Sequence, residues 1–265
     1  MSVVTISRGS FSGGKLIAEC LASDLGFRCI DRDVIVERAA AAGVSQYELR
    51  DALEKPPSFL ERFGHRKYLY LALIQAALTE EVRTGKVVYH GNAGHLLLKG
   101  AKSVLRIRVI APLEMRIRMC RERLRIGTDE AIHHIKKMDD DRRKWAHYLY
   151  GVDPHDPALY DLVLNLESID VSEACTLLAG FVRGQKCFSF GPSCREALDD
   201  LALASRVKAD LAIDAATSDL EVDVAAKSGA VRIRGSLNTP QQLREVERVA
   251  RAVAGVASLD LDGLG

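Results

Sequence analysis

The sequence predicts an α/β protein whose main unit is a three-layer fold with a parallel sheet, followed by a small α+β unit. Short β-branched runs alternate with amphipathic helical patterns over about the first 180 residues, the order expected for a parallel sheet covered by helices. A glycine-rich turn joins the first strand to the first helix. After residue 184 the pattern becomes that of a hairpin with flanking helices.

The elements of the first unit can be predicted in chain order. The predicted strands are VVTIS, FRCI, KVVYH, SVLRIRVIA and YDLVLN. The predicted helices are LIAECLASDLG, a helix opened by Ser45 and Glu48, RKYLYLALIQAALTEEVRTG, PLEMRIRMCRERLRIG, DEAIHHIKKMDDDRRKWAHYLYG and VSEACTLLAGFVRG. The fifth of these is either one helix or a helical hairpin, and Asp170 with Glu173 is expected to cap the last.

The second unit follows a segment rich in Gly, Ser and Cys, which predicts a linker over residues 185–197. A helix, two alternating strands around the turn KSGA, a helix opened at Thr239–Gln242 and a final strand make up residues 198–265. The alternation of apolar residues in LEVDVAA and VRIRGSL predicts an antiparallel hairpin with one covered face.

Composition limits the classes of protein. The chain has 37 Lys and Arg residues against 36 Asp and Glu residues, so its overall charge gives no argument for a nucleic-acid partner. It shows neither a signal peptide nor an apolar run of roughly 20 residues, so we expect a cytoplasmic protein without a transmembrane segment. Its six cysteines form no C-x-x-C pair and are expected to be thiols in a reducing compartment, buried except for Cys187 and Cys194 in the linker.

The turn GSFSGGK has the spacing of a phosphate-binding loop. Glycine amides can wrap a phosphate, the following helix contributes its N-terminal dipole, and Lys15 supplies a mobile positive charge. Ser10 and Ser12 add small hydroxyl groups. Leu16 stands where a Ser or Thr usually contacts Mg²⁺, so the metal would be held by water, nucleotide phosphates and a carboxylate from elsewhere.

Several ordered segments resemble the cytidylate kinase-like family. The opening TISRGSFSGGKLIAECLASDLGFRCIDRDVI is similar to the family's I-S-R start, its S-G-G-basic loop and the D-R step after the second strand. VVYHGNAGHLLL, LRIRVIAPLEMRIR and the stretch from MDDDRRKWAHYLY to YDLVLN resemble later motifs in the same order. The resemblance covers about residues 1–183.

The resemblance implies a P-loop kinase fold over residues 1–184 that uses ATP and Mg²⁺ to phosphorylate a small phosphorylated acceptor. It implies catalytic roles for Lys15, Arg116 and Arg142. The implied donor ligands are Ser10, Ser12, Gly13, Gly14, Lys15 and Leu16. The implied acceptor ligands are Asp31, Arg32, Asn92 and Asp139, and no side chain is assigned to the metal.

Two features of the pattern leave alternatives open. Asn92 stands where the family's G-R-G-A step carries a phosphate-binding arginine, which raises the alternative of a weak or inactive site. The charge run at residues 139–144 fits either the arginine-bearing lid that the resemblance implies or a solvated helix face. The seven arginines between 106 and 125 fit either a helix face with lid arginines or a nucleic-acid stripe.

Residues 198–265 resemble a BON domain, through the segment GAVRIRG and the helix end VAGV. The resemblance implies a binding role, with a protein or ligand partner. Three functions follow for the whole chain: an ATP-dependent kinase of the nucleoside monophosphate type, a nucleotide-binding regulator that signals through this module, or an adaptor whose loop holds only anions.

Overall fold

The computed structural model describes residues 3–54, 66–91, 93–101, 104–184 and 192–265. Five parallel strands form the main sheet in the order β2-β3-β1-β4-β5. The strands are β1 (Val3–Arg8), β2 (Arg28–Asp31), β3 (Val87–His90), β4 (Val104–Ile110) and β5 (Leu162–Asn165). Helices cover both faces of this sheet, which confirms the predicted three-layer α/β fold.

The helices of this unit match the predicted ones closely. They are α1 (Gly14–Leu25), α2 (Arg32–Ala40), α3 (Gln46–Glu54), α4 (Arg66–Val82), α5 (Gly94–Leu97), α6 (Leu113–Leu124), α7 (Thr128–Tyr150) and α8 (Val171–Gly184). Asp170 and Glu173 exchange backbone and side-chain hydrogen bonds of 2.8 and 3.0 Å at the start of α8, as predicted for a capping box. Helix α7 is one continuous helix rather than a hairpin.

The two faces of the sheet carry separate apolar cores. Val3 packs with helices α2 to α5 on one face, whereas its neighbour Val4 packs with α1 and α8 on the other. This division follows from the alternation of side chains along a strand. A third, small cluster joins α6 to α7 through Cys120, Ala131 and Ile135.

The C-terminal unit has a mixed three-stranded sheet in the order β6-β7-β8. Its elements are α9 (Pro192–Ile213), β6 (Val222–Lys227), β7 (Ala230–Gly235), α10 (Pro240–Ala252) and β8 (Ser258–Leu264). Strands β6 and β7 form the predicted antiparallel hairpin, and β8 pairs with β7 in parallel. The turn between β6 and β7 uses Ser228 and Gly229, both with positive φ.

Helix α9 begins earlier than the sequence suggested. Residues 192–197, predicted as part of a linker, form its first turns, while residues 185–191 lie outside the described residues. Leu198 packs into the core of the main unit, and Leu203 and Val207 pack into the core of the C-terminal unit. Apolar residues on this helix therefore serve both units, which composition alone did not reveal.

Tyr68 of the main unit forms hydrogen bonds with the C-terminal sheet. The Tyr68 hydroxyl on α4 donates to the Val222 carbonyl at 2.6 Å and accepts from the Val222 amide at 3.0 Å. The ammonium of Lys208 on α9 lies 4.8 Å from the centre of the Tyr68 ring. These contacts satisfy backbone groups of β6, a strand at the edge of its sheet.

The structure corrects the cysteine prediction at two points. Cys20 on α1 and Cys175 on α8 form a disulfide, so they are not the free buried thiols expected. The two helices pack side by side, which brings together residues 155 positions apart, and spacing along the chain carries no sign of this. Cys29 is exposed, against the expectation, whereas Cys120 is buried; Cys187 lies outside the described residues.

Among the residues that the structure describes, no helix combines the length and apolar character needed to cross a membrane.

Candidate functional site

The carboxyl ends of the central strands form the rim of the site. Strand β1 lies between β3 and β4. The strands that come before β4 in the chain lie on one side of β1, and β4 and β5 lie on the other, so the strand order reverses beside β1. Ligands of open parallel sheets bind at such a point. Arg8 ends β1, Asp31 ends β2 and His90 ends β3, and all three line the same cavity.

The glycine-rich loop spans Gly9 to Gly13 and runs directly into α1. Gly13 has φ +84°, and a Cβ there would lie 3.0 Å from the Leu166 side chain. A Cβ on Gly14 would lie 2.8 Å from the Arg8 Cβ, so the loop needs glycine at both positions. Phe11 adopts φ +60° without being glycine, and it packs against the small cluster between α6 and α7.

Ser12 is turned into the protein rather than into the cavity. The residue is fully buried, and its hydroxyl lies 3.0 Å from the carbonyl oxygens of both Gly9 and Val109. Its amide also donates to Gly9, at 3.3 Å. Ser12 was predicted to bind phosphate, but its hydroxyl instead binds the carbonyl oxygens of Gly9 in the loop and of Val109 in β4.

Ser10 forms hydrogen bonds with residues of both α6 and α7. Its hydroxyl donates to Asp139 at 2.7 Å and accepts from Arg142 at 3.0 Å, while its carbonyl accepts from Arg116 at 2.7 Å. Asp139 also accepts from the Ser10 amide at 3.2 Å and from Arg116 at 2.5 Å. Four of the predicted site residues therefore form one connected cluster.

The charges of this cluster persist despite burial. Burial by itself would raise the pKa of Asp139, but the hydrogen bonds from Arg116 and Ser10 outweigh it and hold the pKa below its ordinary value. Burial, followed by the neighbouring Arg8, lowers the pKa of Arg142 to about 10. At neutral pH Asp139 is therefore a carboxylate and Arg142 a cation.

A cavity of about 400 Å³ opens beside the loop. Its cationic lining residues are Arg8, Lys15, Arg32, Arg123 and Arg142. Its acidic lining residues are Asp31, Asp33, Glu54 and Asp141. Arg116 and Asp139 line a separate cavity of about 120 Å³ instead, so their contact with the larger cavity runs through Ser10.

Positive and negative charge are unevenly distributed along this cavity. At the end formed by α2 and α3, Arg32 is paired with Glu54 and lies 3.7 Å from Asp33. At the loop end, the Arg142 guanidinium donates to neutral oxygen atoms among the described residues, namely the Arg8 carbonyl and the Ser10 hydroxyl. Lys15 is partly exposed and lies 3.6 Å from Glu19. The loop end therefore carries the excess of positive charge, which suits an anion.

The opposite end of the cavity is built by the segment after β2. Asp31 caps α2, since its side chain accepts from the amides of Asp33 and Val34 at 2.9 and 3.1 Å. His90 lines the cavity, and burial, followed by the nearby Arg8, lowers its pKa. Asn92, the remaining predicted acceptor ligand, lies outside the described residues.

Helix α7 connects both ends of the cavity. Trp145 is fully buried and its indole N–H donates to the Ala52 carbonyl of α3 at 2.7 Å. Earlier on the same helix, Arg142 about one turn away and Met138 about two turns away line the cavity. A shift of α7 would therefore move residues at the loop end and the α3 end together.

Several residues that line the cavity were not predicted from the sequence, although two of them had a signal there. Arg123 follows Arg116 by seven positions, which places both on one face of α6. Arg8 directly precedes the first glycine of the loop. Phe11, His90 and Asp141 had no such signal, because only the packing of α7 and β3 around the loop brings them to the cavity.

Two groups of side chains contain atoms of the kind that bind metal ions. Cys20, Asp24 and Cys175 lie within 4.8 Å of one another, but the two sulfur atoms are joined as a disulfide and so are not free ligands. In the 400 Å³ cavity, the carboxylates of Asp31 and Asp141 are oxygen donors of the kind that Mg²⁺ prefers. Leu16 lines a neighbouring cavity of about 350 Å³ and offers no oxygen.

Comparison with known proteins identifies relatives of both units. Residues 3–168 match the model of the cytidylate kinase-like family, and residues 199–260 match that of the BON domain. A cytidylate kinase of Ignicoccus hospitalis is 30% identical over 168 residues, which cover 62% of this chain and 90% of that relative. A cytidylate kinase of Staphylothermus marinus is 28% identical over 182 residues, which cover 68% and 96%.

A solved structure shares the fold of the main unit. The crystal structure of an uncharacterized protein from Eubacterium ventriosum has a TM-score of 0.56 and 15% identity, and it covers 70% of this chain and 100% of its own. Both resemblances read from the sequence are thus confirmed. Because the family model spans more than half of its residues, the chain belongs to the cytidylate kinase-like family.

Proposed function

We propose that this protein transfers the γ-phosphoryl group of ATP to a nucleoside monophosphate, with CMP as the first acceptor to test. The observation that carries the proposal is the excess of cations at the loop end of a 400 Å³ cavity. Phosphoryl transfer depends mainly on positioning and on neutralising charge, and these residues are suited to both. The names of the similar cytidylate kinases support the choice of acceptor.

The donor phosphates would bind at the loop. Backbone amides of the glycine-rich turn and the N-terminus of α1 favour anions, and Lys15 can reach them because its side chain is partly exposed. Ser10 and Ser12 would keep the loop in shape. Leu16 would border the site without contacting the metal.

The acceptor would bind at the end formed by Asp31, Arg32 and His90. Arg32 provides a guanidinium whose Nε is buried without a hydrogen-bond partner among the described residues, so it has capacity for a further oxygen atom. His90 is neutral at pH 7 and offers one donor and one acceptor. Asn92 follows closely in the chain, and its contribution stays a prediction.

Mg²⁺ would enter with the nucleotide phosphates and neutralise part of their charge. The residues present fit this role, because Asp31 and Asp141 offer carboxylate oxygens while the phosphates and water supply the other ligands. During transfer, Arg142 would contact the migrating group with a planar, charged fork. Arg116 and Asp139 would position Ser10 and Arg142 rather than touch the substrate.

A coupled assay of ADP release against a panel of nucleoside monophosphates tests the proposal. We expect turnover with at least one monophosphate and none with the Lys15→Ala variant, because that variant lacks the charge on the donor phosphates. An absence of turnover with every acceptor, in protein that binds ATP, would overturn it. Since the substrate is ATP, we further propose a cytoplasmic location.

One observation favours a second candidate, a nucleotide-binding regulator that signals through its C-terminal unit. Helix α9 packs into the cores of both units, so a change in one can reach the other. We propose residues 1–184 and 198–265 as the two functional parts, the second with a protein or ligand partner. Calorimetry discriminates: binding of ATP or CMP with no turnover supports the regulator, and binding of neither removes both candidates.

A further inference from the structure

Arg8 is a cation at the centre of the site that has no counter-ion among the described residues. It is the last residue of β1 and only partly exposed. Its carbonyl accepts a hydrogen bond from Arg142 at 3.3 Å. Within the described part of the chain, its guanidinium has no ion pair and no hydrogen bond to a carboxylate, and Asp31 acts on it only as a more distant charge.

The loop is shaped around the Arg8 side chain. A Cβ on Gly14 would lie 2.8 Å from the Arg8 Cβ and 2.9 Å from its Cδ, so the side chain runs directly over the first residue of α1. Arg8 lines all three described cavities around the loop, of about 400, 350 and 120 Å³. It therefore stands where these cavities meet.

The surroundings of Arg8 are electrostatically unfavourable for a cation. Burial lowers the pKa of Arg8, and the charges of Arg123 and Arg32 lower it further. The N-terminus of α1, beside Gly14, adds a partial positive charge. A desolvated cation with such neighbours costs stability unless an anion joins it.

We propose that Arg8 is a phosphate-binding residue, which contacts the polyphosphate chain of the nucleotide where the cavities meet. Its planar fork can bind two oxygen atoms at once, and the chain would supply the negative charge that the protein does not. This inference rests on the proposed function for the identity of the nucleotide, but not for the binding of phosphate.

A purely structural role for Arg8 would give different results. A structural arginine stabilises the fold through its partners, so its loss lowers the melting temperature of the free protein. An uncompensated phosphate ligand has the opposite property: replacing it by Met should leave that melting temperature equal or higher while binding of polyphosphate weakens.

The test uses the full chain, with inorganic tripolyphosphate as the probe in calorimetry and in melting experiments. We expect Arg8→Met to weaken tripolyphosphate binding about 10- to 100-fold, the range of a lost charge-assisted contact. Arg8→Lys keeps the positive charge but loses the planar guanidinium, so its affinity for tripolyphosphate should lie between those of wild type and Arg8→Met. The matched control is Arg106→Met, because Arg106 lies on β4, outside the cavities, and is bound to Asp161 at 2.8 and 3.1 Å. That variant should melt lower and bind tripolyphosphate normally.

Several results would overturn the inference. Unchanged tripolyphosphate affinity in Arg8→Met would do so, even if the enzyme is active, and so would a wild-type protein that binds no tripolyphosphate. If Arg8→Met fails to fold, an Arg8→Lys variant that binds tripolyphosphate as tightly as wild type would also overturn the inference. A wild-type protein that binds tripolyphosphate through Arg8 but phosphorylates no acceptor would support the inference and contradict the proposed kinase activity.

Discussion

The carboxylate of Asp139 on α7 accepts a 2.7 Å hydrogen bond from the hydroxyl of Ser10 in the glycine-rich loop. The two residues are 129 positions apart in the chain. This contact, together with the one from Arg116 to Asp139, joins helices α6 and α7 to the loop. The loop conformation and the position of these two helices are therefore expected to depend on each other.

Removing the Asp139 charge should weaken that connection. In Asp139→Asn the amide can still accept from Ser10, but Arg116, whose side chain is only 16% exposed, loses its anion. We expect a destabilisation of roughly 1–3 kcal/mol at pH 7 and at least a tenfold lower kcat/KM. Denaturant unfolding and the coupled ADP assay measure the two effects.

The neighbouring Asp140→Asn variant is the matched control. Asp140 pairs with Arg143 at 2.9 Å in a more exposed place, where an ion pair contributes little. Its removal should leave activity unchanged. Because the folded pKa of Asp139 is lowered, its contribution is present above about pH 4 and is lost as the pH falls through the folded value. A constant difference between wild type and Asp139→Asn down to pH 2 would contradict this explanation.

The close approach of Arg8 to Gly14 predicts that Gly14→Ala is harmful. The new methyl group would lie 2.8 Å from the Arg8 Cβ, so Arg8 or the loop must move. We expect a destabilisation of about 1–3 kcal/mol and weaker ATP binding. Thermal unfolding and calorimetry with ATP measure both.

Gly180→Ala on α8 is the control for this substitution. Its Cβ would meet no atom within 4 Å, and alanine favours a helix, so stability should rise by about 0.5–1 kcal/mol. If both alanine variants behaved alike, the steric account of Gly14 would be wrong.

Much of the fold could be predicted because its signals are local. Alternating strands and helices, the turn after β1 and the cap at Asp170 depend on neighbouring residues. Residues of the site could be predicted only where they belong to a recognisable sequence motif. Ser12 has the right residue type in the motif, yet its hydroxyl faces the Val109 carbonyl, and only the packing of β4 beside the loop reveals this.

Features that depend on contacts between distant parts of the chain could not be predicted from the sequence. The disulfide between Cys20 and Cys175 depends on α1 lying beside α8. A helix was predicted at α9, but its earlier start and its packing into both units were not, because the start falls in a segment with the composition of a linker. The place of Arg8 directly before the loop could be read from the sequence, but its lack of a counter-ion among the described residues is a property of the assembled site.

The hydroxyl of Tyr68 predicts a measurable link between the two units. Tyr68→Phe keeps the ring beneath Lys208 but removes both hydrogen bonds to Val222. We expect a loss of about 1–3 kcal/mol in the free energy of unfolding, because the amide and carbonyl of Val222 lose this partner. Tyr47→Phe, at a side chain that is 72% exposed, should be neutral in the same urea titration. Equal stability of the two variants would show that the contact is unimportant.

His95 predicts a specific dependence of stability on pH. Burial, followed by the charge of Arg108, lowers the pKa of His95 from 6.5 to about 4. Between these values the unfolded chain binds a proton that the folded protein does not, so stability falls as the pH drops from about 6.5 to 4. The full effect is about 3 kcal/mol.

The variant His95→Leu should remove this contribution. Neither ring nitrogen of His95 has a hydrogen-bond partner among the described residues, so replacing His95 by leucine removes no hydrogen bond to them. We expect the variant to be more stable than wild type at pH 5, with a smaller difference at pH 8, in paired urea titrations. A difference that does not change with pH would show that His95 does not titrate in this way.

The most direct test of the central claim follows the γ-phosphoryl group itself. The full-length protein is incubated with Mg²⁺, CMP and ATP labelled at the γ-phosphate, and the products are separated. The account predicts that the label appears in a nucleoside diphosphate in equal amount to the ADP formed, and that Lys15→Ala abolishes the transfer. Label that remains in ATP or appears only as inorganic phosphate, with CMP and with every other monophosphate, would contradict it.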